Sequence, residues 1–198
     1  GGVYSGENTA TLSITGAVSS MNGYLYRVII GGDCTPAVTS DTATLTVLEK
    51  PEVLVNPSDV TICEDDNTLF GINAGVTTSP TYRWQVDDGG GYVDVVPSAI
   101  YSGEDTDTLR ITGGLSTMTG YTYQVIVSGT CAPDAPSGEA TLTVYEKPEI
   151  ISQPVDSTIC ENDDASFSVD AGVTTTPNYQ WQVDNGSGFV NAFGPVYT

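Results

Sequence analysis

The chain has 198 residues, with 25 acidic against 5 basic side chains, no histidine and a net charge of −20; attraction to nucleic acid or to anionic lipid is thereby excluded as a mode of action. No apolar run approaches the roughly 18 to 20 residues of a membrane helix, so membrane insertion by a helix is not expected. Without histidine there is no Ser-His-Asp triad and no histidine-assisted metal site.

A shift of 97 residues superimposes the chain on itself: Tyr4-Ser5-Gly6 falls on Tyr101-Ser102-Gly103, Cys34 on Cys131, Lys50-Pro51-Glu52 on Lys147-Pro148-Glu149, Cys63 on Cys160 and Trp84 on Trp181. One repeat is therefore about 97 residues, with no helical segment in it. Residues 1–48 read as the second half of one repeat, 49–145 as a complete copy and 146–198 as the first half of another.

Period-2 alternation marks the strands of the complete copy in order. After the linker Glu49-Lys50-Pro51, a first strand ends at Cys63 before a Glu64-Asp65-Asp66 turn. Phe70, Ile72 and Ala74 then face one way and Leu69, Gly71 and Asn73 the other; Phe167, Val169 and Ala171 repeat this in the last segment. Tyr82, Trp84 and Val86 mark a third strand, closed by the Asp88-Gly89-Gly90-Gly91 turn. Leu109 and Ile111 precede a Gly113-Gly114 turn, and Tyr121, Tyr123, Val125 and Val127 form a long strand. Ala140, Leu142 and Val144 form the last one.

Six to eight short strands in about 97 residues, with tryptophan on the third, resemble an immunoglobulin-like sandwich. The expected class is all-β, as tandem immunoglobulin-like β-sandwich domains, with Trp84, Trp181, Tyr26 and Tyr123 as core markers. Gly120-Tyr121-Thr122-Tyr123-Gln124-Val125 resembles the tyrosine corner, with Tyr123 two residues before the usual intersheet cysteine. Val125 stands in that place and Ile72 is its expected partner, so aliphatic packing replaces the core disulfide.

The combination of Thr-Ile-Cys-Glu, Tyr-x-Trp-Gln-Val, Tyr-Ser-Gly-x-x-Thr-x-Thr-Leu, Met-x-Gly-Tyr-x-Tyr and Ala-Thr-Leu-Thr-Val covers the chain. It resembles the tandem immunoglobulin-like repeats of giant surface and adhesin proteins secreted by Bacteroidota. The resemblance implies an extracellular or cell-surface location, export by the type IX pathway, and a stalk or adhesin role. Partners implied are adjacent repeats of the same polypeptide and lateral self-association into filaments, together with a receptor that the sequence does not identify.

Thr198 followed by Gly1 reads as one uninterrupted domain with a longer middle loop. Trp181 to Tyr4 across that join is 21 steps, against 17 from Trp84 to Tyr101. The expectation is a 198-residue period repeated along a longer polypeptide; the alternative is a short subunit whose half-domains are completed by neighbouring molecules.

Four cysteines without a C-x-x-C pair point to disulfides and an oxidising compartment. Cys63 is expected at the end of the domain that faces the following repeat. Cys131, eight residues after Tyr123, lies about 26 Å further along its strand at roughly 3.3 Å per residue. A disulfide tolerates a Cα separation of at most about 7 Å, so a Cys63–Cys131 bridge inside one domain is difficult. Interdomain staples are expected instead, Cys63 to Cys34 of the next unit and Cys160 to its Cys131; intradomain pairing and free thiols are the alternatives.

The carboxylates of Glu64-Asp65-Asp66, Asp87-Asp88 and Asp163-Asp164 fall in turns and need no pocket, so catalysis is not expected, and no cofactor is. Calcium at the junctions is the sharper alternative for them, although the spacing matches no calcium loop. Trp84 and Trp181 are core residues rather than sugar-stacking platforms; Tyr92, Phe189, Phe193 and Tyr197 are the candidate exposed aromatics. The expected function is a non-enzymatic structural spacer in an extracellular filament or stalk-like adhesin. A carbohydrate-binding accessory module of a secreted hydrolase is the rival.

Overall fold

The computed structural model describes residues 3–192. Its strands are all short. They run β1 Tyr4–Ser5, β2 Ser13–Ile14, β3 Leu25–Tyr26, β4 Ile29–Ile30, β5 Val38–Thr39 and β6 Ala43–Thr44, then β7 Val60–Cys63, β8 Thr68–Gly71 and β9 Thr81–Asp87. They continue as β10 Val93–Asp94, β11 Tyr101–Ser102, β12 Thr108–Ile111, β13 Thr122–Ser128, β14 Ala135–Pro136, β15 Ala140–Tyr145, β16 Gln182–Asp184 and β17 Phe189–Asn191.

Strands β7 to β15 make two facing sheets. One has the order β10-β9-β13-β15-β7, with β14 also on β13; the other is β11-β12-β8. The chain enters on the smaller sheet, where Val55 bridges Asn73 antiparallel, and then crosses at Asn56-Pro57 to run parallel to β15 in the larger one. Proline suits the crossing because it has no N–H to give to either ladder.

Ile126 faces Pro136 but Tyr123 faces Ala140, one residue out of step, so the last strand bulges between β14 and β15. Side chains serve the backbone at the bulge: the Val125 N–H donates to Ser137 Oγ at 2.9 Å, and the Gly138 N–H donates to Asn56 Oδ1 at 2.7 Å.

The core follows from the alternation. Phe70, Trp84, Leu109, Ile111, Tyr123, Val125, Leu142 and Val144 are buried, and Ile72 packs at the margin of the cluster. Trp84 faces Val125 across β9 and β13, and its indole N–H donates to the Thr106 carbonyl at 2.9 Å, so its one polar atom is satisfied where it is buried.

Between the sheets the ring of Phe70 stacks on Tyr123 at 4.8 Å. In the segment that resembles a tyrosine corner, the Tyr123 hydroxyl lies 3.0 Å from the Tyr101 hydroxyl. Tyr101 sits on β11 of the opposite sheet and reaches inward, so the two phenols clasp the sheets together. Burial is the first cause that pushes both phenols above their ordinary pKa.

The recurring motifs have local causes. Gly103 has φ +78°, and a Cβ there would collide with the Thr108 carbonyl oxygen. Thr106 then bonds back across the turn, its hydroxyl 3.0 Å from the Gly103 oxygen and 2.9 Å from that of Thr108. Met118 plugs the core below a single 3-10 turn at Ser116–Met118.

Outside 49–145 the same registers recur. Tyr4 faces Ile14 as Tyr101 faces Ile111; Leu25 faces Thr44 as Thr122 faces Thr141; Gln182 faces Asn191 as Gln85 faces Asp94. Each lies 97 residues from its counterpart. The Tyr4–Tyr26 hydroxyl pair, at 3.1 Å, repeats the Tyr101–Tyr123 clasp. There, the hydrogen bond from Tyr4 is the first cause that raises the Tyr26 phenol to about 12.

Two core markers depart from expectation in these outer segments. Tyr26 is half-buried and Trp181 is exposed, because each segment carries only some of the strands that enclose the core in 49–145.

Candidate functional site at the repeat junctions

The two linkers are built alike. The Glu49 N–H donates to Thr78 Oγ1 at 2.8 Å and the Glu52 N–H to Thr77 Oγ1 at 3.2 Å. In the second linker Glu146 and Glu149 donate to Thr175 and Thr174 at 2.8 and 3.1 Å. A Val-Thr-Thr turn, Val76-Thr77-Thr78 or Val173-Thr174-Thr175, therefore fastens each linker to the domain that follows it. Buried Pro51 adds a fixed φ.

From the other side, the turn after β7 grips the second linker. The Glu64 N–H donates to the Tyr145 carbonyl at 2.8 Å, and the Lys147 ammonium meets the Asp65 carboxylate at 2.8 Å. That hydrogen bond, then the neighbouring charges of Asp65, Asp66 and Glu64, raises the lysine pKa. Asp65 is left-handed at φ 64°, and Asn162 takes the same place at φ 71°; Asp and Asn tolerate that region better than other side chains. Asp66 accepts the Cys63 N–H at 3.3 Å.

These contacts account for the acidic turns. Asp87 Oδ1 accepts the N–H groups of Gly89 and Gly91 at 2.7 and 2.8 Å, and Asp184 does the same for Gly186 and Gly188. Among the described residues no group of three or more Cys, Asp or Glu side chains converges as a metal site.

Cys63 stands opposite Tyr145 in the β7–β15 ladder, at the end nearest the second linker. Cys131 stands at the other end, its thiol 3.8 Å from the Leu48 carbonyl oxygen at the first linker. The seven residues of β13 lie between the two levels, roughly 23 Å at strand spacing. All four thiols, including those of Cys34 and Cys160, are unpaired in this structure.

Of the candidate exposed aromatics, Tyr92 is half-buried with its hydroxyl 2.9 Å from Thr122 Oγ1, contrary to expectation, because the ring folds back over β13. Phe189 is 73% exposed. Phe193 and Tyr197 lie outside the described residues. The junction contacts themselves were missed by sequence reasoning; the signal for them was the repeated Thr-Thr before Thr81 and Asn178, which reads simply as a turn.

No family model matches the chain. Roundabout homolog 1 of Mus musculus is 28% identical over 172 residues, covering 85% of this chain and 10% of that protein. Roundabout homolog 2 of Homo sapiens is 31% identical over 143 residues, covering 72% and 10%. The chain thus spans about a tenth of the length of these curated relatives. Among solved structures, the N-terminal eight Ig domains of Down Syndrome Cell Adhesion Molecule match with a TM-score of 0.55 at 18% identity, covering 67% of this chain and 17% of that one. Strand order, core and this likeness define an all-β, immunoglobulin-like fold.

Proposed function

We propose that this chain is a non-enzymatic spacer in a tandem array of immunoglobulin-like domains, in an extracellular filament or stalk-like adhesin. Residues 49–145 are one domain, and 146–198 with 1–48 are the two parts of another. The observation that carries this reading is the junction: a linker of a few residues is bonded to the domain after it by two threonines and, at its second occurrence, to the domain before it by Glu64 and Asp65. A domain held on both sides transmits its orientation to the next. The Ig-domain composition of the cell adhesion molecule that it resembles supports a structural or adhesive role at the cell surface. A net charge of −20 would keep neighbouring arrays apart over about 10 Å at 0.1 M ionic strength.

Small-angle scattering on chains of one, two and three 198-residue units tests this. Maximum dimension should rise in proportion to unit number at constant cross-section. A dimension that grows as for a flexible string of beads overturns the stiff spacer, and saturable glycan binding by the same chains would favour the carbohydrate-binding reading.

A further inference from the structure

The two outer segments hold different strands of one sandwich. Residues 146–192 carry the positions equivalent to the entry segment and β7 to β10, and residues 3–48 those of β11 to β15. The cleft of about 560 Å³ on the last segment is lined by Val169, Ala171, Tyr179 and Trp181, which are the positions of Ile72, Ala74, Tyr82 and Trp84 in the closed sandwich. Its missing cover is the apolar face that the first segment of a second unit would supply.

One backbone position is then shared by two cysteines. At the second linker the carbonyl of Tyr145 accepts the N–H of Glu64, the residue after Cys63, and Cys63 itself lies opposite Tyr145. At the first linker the equivalent carbonyl, that of Leu48, lies 3.8 Å from the Cys131 thiol. Superposing the junctions by the 97-residue repeat brings a cysteine of the Cys63 type from one domain and a cysteine of the Cys131 type from the next to the same carbonyl. Cys63 and Cys160 are exposed and Cys131 is half-exposed, so the sulfurs are accessible to an oxidant.

We propose that successive units are joined by two disulfide staples, Cys63 to Cys34 of the next unit and Cys160 to Cys131 of the next unit. The inference rests on the proposed completion of one domain by 146–198 and 1–48. Each staple forms by exchange with a small-molecule disulfide: two protein thiols are oxidised to one S–S bond, the reagent's S–S bond breaks, and the two protons leave with its two thiols. Both staples connect the same pair of units across one shared domain, so the array stays covalently closed around that domain even when its two parts separate.

A chain of two consecutive 198-residue units, oxidised with glutathione disulfide and digested without reduction, tests the proposal. The expected peptides link Cys63 of the first unit to Cys34 of the second, and Cys160 to Cys131. With Cys34→Ser and Cys63→Ser in both units, the Cys160–Cys131 link should persist. With Cys34→Ser and Cys160→Ser, the cysteines remaining are Cys63 and Cys131, and no link should form. A Cys63–Cys131 peptide overturns the proposal. Acrylamide quenching separates it from the reading beneath it: the accessible share of tryptophan should fall from one in two in a single unit to one in four in the pair. Unchanged quenching overturns the domain completion and the staples with it, whereas reduced quenching with free thiols overturns the staples alone.

Discussion

Trp84 on β9 and Trp181, just before β16, occupy equivalent positions 97 residues apart, each within the motif Tyr-x-Trp-Gln-Val. The first is fully buried and the second 42% exposed; Phe70 and Phe167 differ in the same way, 1% against 56%. Yet the pairing of the neighbouring strands is the same in both places, Gln85 to Asp94 and Gln182 to Asn191. Hairpin register is thus local, fixed by the Asp-Gly turn chemistry at 87–91 and 184–188. Burial is not local: it requires the full set of strands of both sheets, which residues 49–145 contain and of which each outer segment carries only a part.

The sharpest way to break that comparison is truncation of the two indoles. Trp84→Ala should cost about 3–5 kcal/mol, the usual range for a buried tryptophan, read as a shift of the urea midpoint. Trp181→Ala in the same chain should leave the main transition almost in place. Equal losses would mean that the last segment has a covered core that this structure lacks.

A smaller effect tests the intersheet clasp. Tyr101→Phe strands the buried Tyr123 hydroxyl and should cost about 1–3 kcal/mol, the desolvation of an unpaired polar group. Tyr123→Phe removes that hydroxyl and leaves Tyr101, which is only partly covered and can turn to water, so its cost should be lower. The reverse order would place the clasp outside the core.

The smallest signal is the dependence on alkaline pH. Tyr82, Tyr92, Tyr101 and Tyr123 are all raised, with burial the first cause in each. A folded-state pKa above the unfolded value of about 10 contributes stability that is complete below that pH and is lost as pH rises through the folded values. Phenolate absorbance at 295 nm should therefore show a late step that coincides with loss of the far-UV dichroism. A smooth rise, finished before unfolding, would place these rings in solvent.

Much of the fold was legible. The alternation of Phe70, Ile72 and Ala74, the indole on β9 and the run from Tyr121 to Val127 each followed from period-2 patterning, which reports one buried face directly. The position of Cys63 and Cys131 at opposite ends followed from strand length alone. The partner of the Tyr123 hydroxyl did not, because Tyr101 comes from another sheet 22 residues away and nothing in its Tyr-Ser-Gly context distinguishes an inward from an outward phenol. Tyr92 was misjudged for a related reason: a residue in a glycine-rich turn reads as exposed until the fold shows Thr122 beneath it. Thr77, Thr78, Thr174 and Thr175 read as turn residues, and only the folded chain shows their hydroxyls receiving the linker.

By itself the sequence determined the repeat length, read from its self-similarity at a shift of 97, and the strand positions of the complete copy, which depend on side-chain alternation and turn residues close together in the chain. The tertiary structure decided which apolar faces are covered, which phenols meet and which carbonyl the Cys131 thiol approaches. Those outcomes depend on surfaces brought together from distant parts of the chain, and a one-dimensional pattern carries no record of which surface meets which.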